Sequence, residues 1–179
     1  MESVLKKPVL SPESFIRIRF QDCDPFGHLN NARYMDYFFE ARSEHLRRTG
    51  NFDFYDYGNR ENKSWVVAKT QLQYLEPVKL NEVVKIVTRL TKLSANGITN
   101  EDMILDKDGT RLKAVLWVDL SFVDLSKGRP LRHDPEIFSF FESLLYEEDG
   151  MENITFEARV KQLRKQVTTG KYSGDFVEY

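Results

Sequence analysis

One ten-residue stretch of the 179-residue chain concentrates groups able to do acyl chemistry: Asp22-Cys23-Asp24-Pro25-Phe26-Gly27-His28-Leu29-Asn30-Asn31. Attack on an activated acyl carbon needs a nucleophile or base beside the carbonyl and donors aimed at the oxygen that becomes negative. Asp24 offers the carboxylate, and Gly27 lets backbone come close to a ligand. A helix opening at Asn30 or Asn31 would present unpaired N–H groups and the positive end of its dipole. His28 has the reach to orient a carbonyl or a water. One oxyanion donor is worth about 3 kcal/mol of barrier, and a placed general base roughly 10²–10⁴ in rate. Neither calls for a metal or redox cofactor, and none is expected. The same residues admit a plainer reading, with Asp24 capping N–H groups of its own loop, His28 bonded to backbone, and Asn30 and Asn31 as helix caps.

Other chemistries find little support. Asp22 and Asp24 flank Cys23, whereas a reactive thiol wants a cationic neighbourhood. His28, His45 and His133 are far apart with no ligand spacing, so no metal site is expected. There is no Gly-x-Ser-x-Gly, no phosphate-cradling glycine loop and no dinucleotide fingerprint.

The elements around this stretch follow from hydrophobic period. Phe15, Ile16, Ile18 and Phe20 nearly alternate with arginines, as in a short strand. Residues 32–48 carry Met35, Tyr37, Phe38, Phe39, Ala41 and Leu46 over more than half the circumference of a helix, which Gly50 would stop. An aromatic connection, Phe52 to Gly58, leads to strands at 66–74, 83–93, 98–105 and 112–122, with Asp108-Gly109 as a hairpin turn. A second helix is expected over 134–146, with Asp134 as cap and Pro135 at its first position. One strand, one long helix and a run of strands without βαβ alternation give an α+β antiparallel architecture.

Composition bounds the rest. Twenty-six Lys and Arg against 28 Asp and Glu leave a net charge of −2, which argues against nucleic acid as a partner. With 41% hydrophobic residues, 13 Phe and 8 Tyr, the chain can build a real core. A lone cysteine and no apolar run near the roughly 20 residues a bilayer requires point to the cytoplasm, without membrane insertion. The chain divides into an arm of residues 1–12, a body of 13–147 and an extension of 148–179. In that extension Phe156, Val160, Leu163 and Val167 recur at helical spacing beside basic residues, as in a helix docked on the body, and residues 168–179 are expected to be mobile.

This order of elements resembles the hot-dog fold, in which an antiparallel sheet wraps one long helix. Cys23-Asp24-Pro25-Phe26-Gly27 resembles the Cys-Asp-Pro-x-Gly signature of hydroxybenzoyl-CoA thioesterases. Asp24, His28, Asn30 and Asn31 are similar to the Asp-x-x-x-His-x-Asn-Asn pattern of acyl-ACP thioesterases. Phe39-Glu40-Ala41-Arg42 resembles the Phe-Glu-x-Ala-Arg of the wider acyl-CoA thioesterase family with one residue missing, and Lys127-Gly128-Arg129-Pro130 its exit from the last strand. Specific matching covers residues 15–48; residues 147–179 match nothing known. The resemblance implies hydrolysis of an acyl-CoA or acyl-ACP thioester. Asp24 would be base or nucleophile with His28 beside it, and Gly27, Asn30 and Asn31 would form the oxyanion site. Phe26, Tyr34 and Phe38 would hold the acyl group, and Glu40 would be a supporting carboxylate. It also implies a homodimer or dimer of dimers with sites between subunits. Two alternatives stand beside it. A hot-dog hydratase would place Asp and His five apart, against four here. A non-catalytic acyl-binding protein would keep the fold without turnover.

Overall fold

The computed structural model describes residues 8–170, 172 and 174–176; the first seven residues of the expected arm lie outside these. Strand β1 (Pro12–Arg17) ends sooner than the alternation suggests, because Phe20–Asp22 closes into a 3-10 turn. Ile18 stays fully buried after the ladder ends, its N–H bonded to the Glu82 carbonyl. Helix α1 (Tyr34–Gly50) follows a 3-10 turn at Asn31–Arg33. Its stop differs from expectation: Asn51, not Gly50, takes the left-handed conformation. Gly50 instead makes room for packing, since a Cβ there would stand 3.1 Å from the Phe140 ring.

The aromatic connection is helical. Asp53 caps α2 (Phe54–Glu61) by accepting the Tyr55 and Asp56 N–H groups, and Tyr57 packs on Phe52 and Trp65. The long strands are β2 (Lys63–Tyr74), β3 (Val83–Ser94), β4 (Gly97–Asp106) and β5 (Leu112–Asp124). A two-residue β6 (Arg129–Pro130) pairs with β5, and α3 (Pro135–Ser143) and α4 (Phe156–Thr168) follow. Helix α3 is three residues shorter than expected at its end, where Tyr146 donates its N–H to the Leu90 carbonyl instead. Gly109 takes φ +71° in the β4–β5 turn.

Strands order as β2-β5-β4-β3-β1, and β7 (Asp175–Phe176) adds a parallel edge on β1. Among the described residues the other pairings between these strands are antiparallel, and a lone parallel bridge joins Leu90 to Leu145. Residues 175–176 are thus paired where mobility is expected from sequence; Tyr172, stacked on the Arg89 guanidinium, leads the chain back to β1. Helix α1 lies on the inner face, where Tyr34, Tyr37, Phe38 and Ala41 meet Val84, Ile86, Ile104, Ala114 and Leu116. The outer face is covered too. Phe156, Val160, Leu163 and Val167 of α4 pack on Val87, Met103, Leu105, Val115 and Trp117. Arg159, wholly buried, fixes that helix by bonding both Glu101 oxygens at 2.8 Å. This is the expected α+β hot-dog arrangement, with helices added at α2, α3 and α4.

Candidate active site

The loop before α1 is built around Asp24. Its Oδ1 accepts the Phe26 N–H at 2.9 Å and the His28 N–H at 3.0 Å. Its own N–H donates to the His28 carbonyl at 2.7 Å, and Gly27, at φ +76°, donates to the Asp24 carbonyl at 3.0 Å. A positive φ is where glycine is at little cost. The loop is then clamped to the segment after β2: Leu29 donates to Val78 and Leu80 to Gly27. Asn30 caps the 3-10 turn, its side chain accepting the Ala32 N–H at 3.0 Å. Tyr37 braces the loop from α1 by donating to Asp22 Oδ2 at 2.8 Å; burial, then that bond, pushes its phenol up to about 12.

Two features of this loop stand out against the plainer reading. Asp24 Oδ2 makes no hydrogen bond among the described residues, so the two N–H donors orient the carboxylate through one oxygen and leave the other uncommitted. From Phe26 to Arg33, every backbone N–H has an acceptor except that of Asn31, among the described residues. Asp24 and Asn31 line one cleft of about 290 Å³, together with His28, Tyr34, Tyr74 and Pro77. A carboxylate oxygen and a free N–H at a helix entrance are the pair that attack on a carbonyl requires.

The expected residues divide by position. Asp24, His28, Asn31 and Tyr34 come together at the cleft. Gly27 and Asn30 belong to the same loop but do not line the cleft. Phe26 and Phe38 do not line the cleft: Phe26 is 84% exposed, and Phe38 is wholly buried in the core. Glu40 lies in a different groove, beside Asp36, Phe39, Glu44 and Arg47. Tyr74, Leu75 and Pro77 complete the cleft though nothing local in the sequence marks them. Tyr74 packs edge-on against Tyr34 at 4.9 Å and donates to the Asn31 carbonyl at 3.1 Å. Only the strand ending at Pro77 hinted that a turn would come near. Burial and the carboxylates of Asp22 and Asp24 push the Cys23 thiol up, as its neighbours imply.

Residues 18–141 match the model of the thioesterase-like superfamily. The chain belongs to that superfamily. It is 26% identical over 131 residues to the long-chain acyl-CoA thioesterase FadM of Escherichia coli K12, covering 73% of this chain and 96% of that one. It is 27% identical over 129 residues to the acyl-CoA thioesterase YbgC of Haemophilus influenzae, covering 72% and 93%. Among solved structures, a DHNA-CoA thioesterase from Staphylococcus aureus superposes with a TM-score of 0.68 at 17% identity, over 94% of this chain and 99% of that one. A 1,4-dihydroxy-2-naphthoyl-CoA thioesterase from Synechocystis gives 0.66 at 10% identity, over 75% and 95%. At such identities the two structures speak for the fold.

Proposed function

We propose that this protein hydrolyses an acyl thioester of coenzyme A or acyl carrier protein to the free acid and thiol. The observation that carries the reading is that Asp24, with one oxygen uncommitted, and Asn31, with an N–H unpaired among the described residues, line the same cleft. Asp24 attacks the thioester carbonyl or removes a proton from the water that does, and the Asn31 N–H receives the developing oxyanion. His28 positions the carbonyl or the water. The acyl group runs past Tyr34 toward Phe38, and Phe26 meets the substrate's exposed portion. Gly27 and Asn30 hold the loop in shape, and Glu40 supports from α1. Names of the curated relatives favour acyl-CoA, and the cytoplasm is the compartment that such a substrate and a lone cysteine suit.

The working unit proposed is a homodimer joined through β2, with a dimer of dimers as the larger option. Val66, Val67 and Tyr74 of β2 are 42–48% exposed, and β2 is the long strand at an edge of the sheet. An exposed, apolar strand edge is a pairing surface. Tyr74 belongs to both that edge and the cleft, which would put each site beside the partner. The proposed division of the chain keeps residues 13–147 as the catalytic body, with 1–12 and 148–179 as its straps. Free-thiol release from a panel of acyl-CoA and acyl-ACP thioesters tests the activity. Turnover of at least one is expected; binding without any thiol release would favour the non-catalytic reading. Sedimentation at micromolar concentration is expected to show a dimer, and a monomer would contradict the pairing.

A further inference from the structure

Three tyrosines stand around the Asp24 loop, and two of them have committed their hydroxyl protons. Tyr37 donates to Asp22 Oδ2 at 2.8 Å, and Tyr74 donates to the Asn31 carbonyl at 3.1 Å. The Tyr34 hydroxyl has no acceptor among the described residues. The Val78 N–H acts on its oxygen, but a backbone N–H only donates, so the phenol keeps its own proton uncommitted. Tyr34 as a whole is only 3% exposed, its ring held edge-on against that of Tyr74 at 4.9 Å. Its hydroxyl is nonetheless not one of the partnerless polar atoms sealed from solvent. Solvent therefore reaches that oxygen, and the opening that Tyr34 lines is the Asp24 cleft, shared with His28 and Asn31.

Chemistry narrows what such a hydroxyl can do. Burial pushes the Tyr34 phenol above its ordinary value, the Val78 N–H pulls it part of the way back, and Tyr74, Glu82 and Asp24 raise it further. It stays protonated near neutral pH and is no base there. Nor does it hand its proton over to a departing thiolate, because a thiol has a pKa of about 8.5 against about 10 for an ordinary phenol, and the transfer would run uphill. A neutral phenol with an uncommitted proton donates a hydrogen bond, and does so most strongly to an anion. Asp24 is not its acceptor, since that carboxylate takes the Phe26 and His28 N–H groups and no bond joins it to Tyr34. An oxyanion forming in the cleft is the acceptor that remains.

We propose that the Tyr34 hydroxyl is a second hydrogen-bond donor to the thioester carbonyl oxygen, sharing with the Asn31 N–H the negative charge that develops there. Tyr34 is then a catalytic residue as well as a wall for the acyl group. The inference rests on the acyl-thioester reading, and it adds no proton transfer, so the covalent steps stay as proposed for Asp24.

Tyr34→Phe keeps the ring on Tyr74 and removes the hydroxyl alone. With an acyl-CoA that the unaltered enzyme turns over, kcat is expected to fall about 10²-fold and KM to change by no more than about threefold, as for loss of one oxyanion donor. The pH profile of kcat/KM should keep its shape, because the lost group does not titrate near neutrality. A binding measurement separates this from the Asp24 chemistry: the infrared carbonyl stretch of a bound acyl-CoA analogue with a methylene in place of the thioester sulfur, a ketone that cannot be hydrolysed. Loss of a donor should move that stretch to higher frequency in Tyr34→Phe. Normal turnover in Asp24→Asn would remove the parent reading, and the stretch would still decide this one. In the unaltered chain the Tyr34 Cζ resonance should shift with the ketone and stay put with the same analogue lacking the carbonyl oxygen, a comparison that holds even if Tyr34→Phe does not fold. Turnover within about twofold of normal in folded Tyr34→Phe, an unmoved stretch, or a Tyr34 signal blind to the carbonyl would each overturn the proposal.

Discussion

Two carboxylates on opposite sides of the sheet, Asp24 and Glu101, are treated in opposite ways. Glu101 is wholly buried and saturated: Oε1 takes Arg159 Nη2, with Arg89 at 3.5 Å, and Oε2 takes Arg159 Nε and the Trp117 indole N–H. Asp24 is half-buried, lines a cleft and spends one oxygen on its own loop, the other making no hydrogen bond among the described residues. A carboxylate whose work is to hold two elements together is used up by its partners. One proposed for chemistry, as Asp24 is, is held through half of itself. The difference lies in saturation more than in burial, and each side can be broken separately.

The largest expected effect is on the saturated side. Arg159→Ala leaves Glu101 and Glu148 short of partners, and a broken buried ion pair costs about 3–5 kcal/mol. Urea unfolding should show that loss, while turnover of the folded fraction stays near normal. On the Asp24 side, Asn31→Pro removes the one N–H from Phe26 to Arg33 that is unpaired among the described residues, with little strain, since Asn31 opens its turn and Asn30, at φ −61° and ψ 134°, suits a following proline. Turnover should fall about 10²–10³-fold, with Asn31→Ala near normal. Equal losses in the two variants would move the role from backbone to side chain. His28→Ala is the smallest, about tenfold in kcat/KM, because a positioning group leaves the bond-making residues in place.

The grouping of residues around Asp24 was legible in the sequence, and that around Glu101 was not. Asp24 to Asn31 lie within one short loop whose Pro, Gly and Asn residues announce a turn and a helix start, so their proximity is local. Tyr74 and Pro77 reach the cleft through the pairing of β2 with β5, and Glu101 meets Arg159 across 58 residues. Neither contact leaves a periodic trace. Glu40 lies six residues beyond Tyr34, about 240° around the helix and in another groove, so any support it lends the cleft passes through α1 and not by lining it. Residues 54–61 read as a connection because their aromatic content hid the Asp53 cap. The helix-to-sheet order itself was plain, since the strong two-residue alternation of β2 and β5 and the broad apolar girth of α1 require no long-range information.

The uncommitted Asp24 oxygen is proposed to perform the attack or the proton removal. Asp24→Asn keeps an oxygen able to accept the Phe26 and His28 N–H groups, so the loop should persist while basicity and nucleophilicity are lost. With an acyl-CoA that the unaltered enzyme turns over well, the variant should lose about 10²-fold or more in turnover with the same unfolding midpoint in urea. Near-normal turnover in a folded Asp24→Asn protein would contradict the account and move the search to the other carboxylates near α1 and the cleft, Glu40 and Glu76.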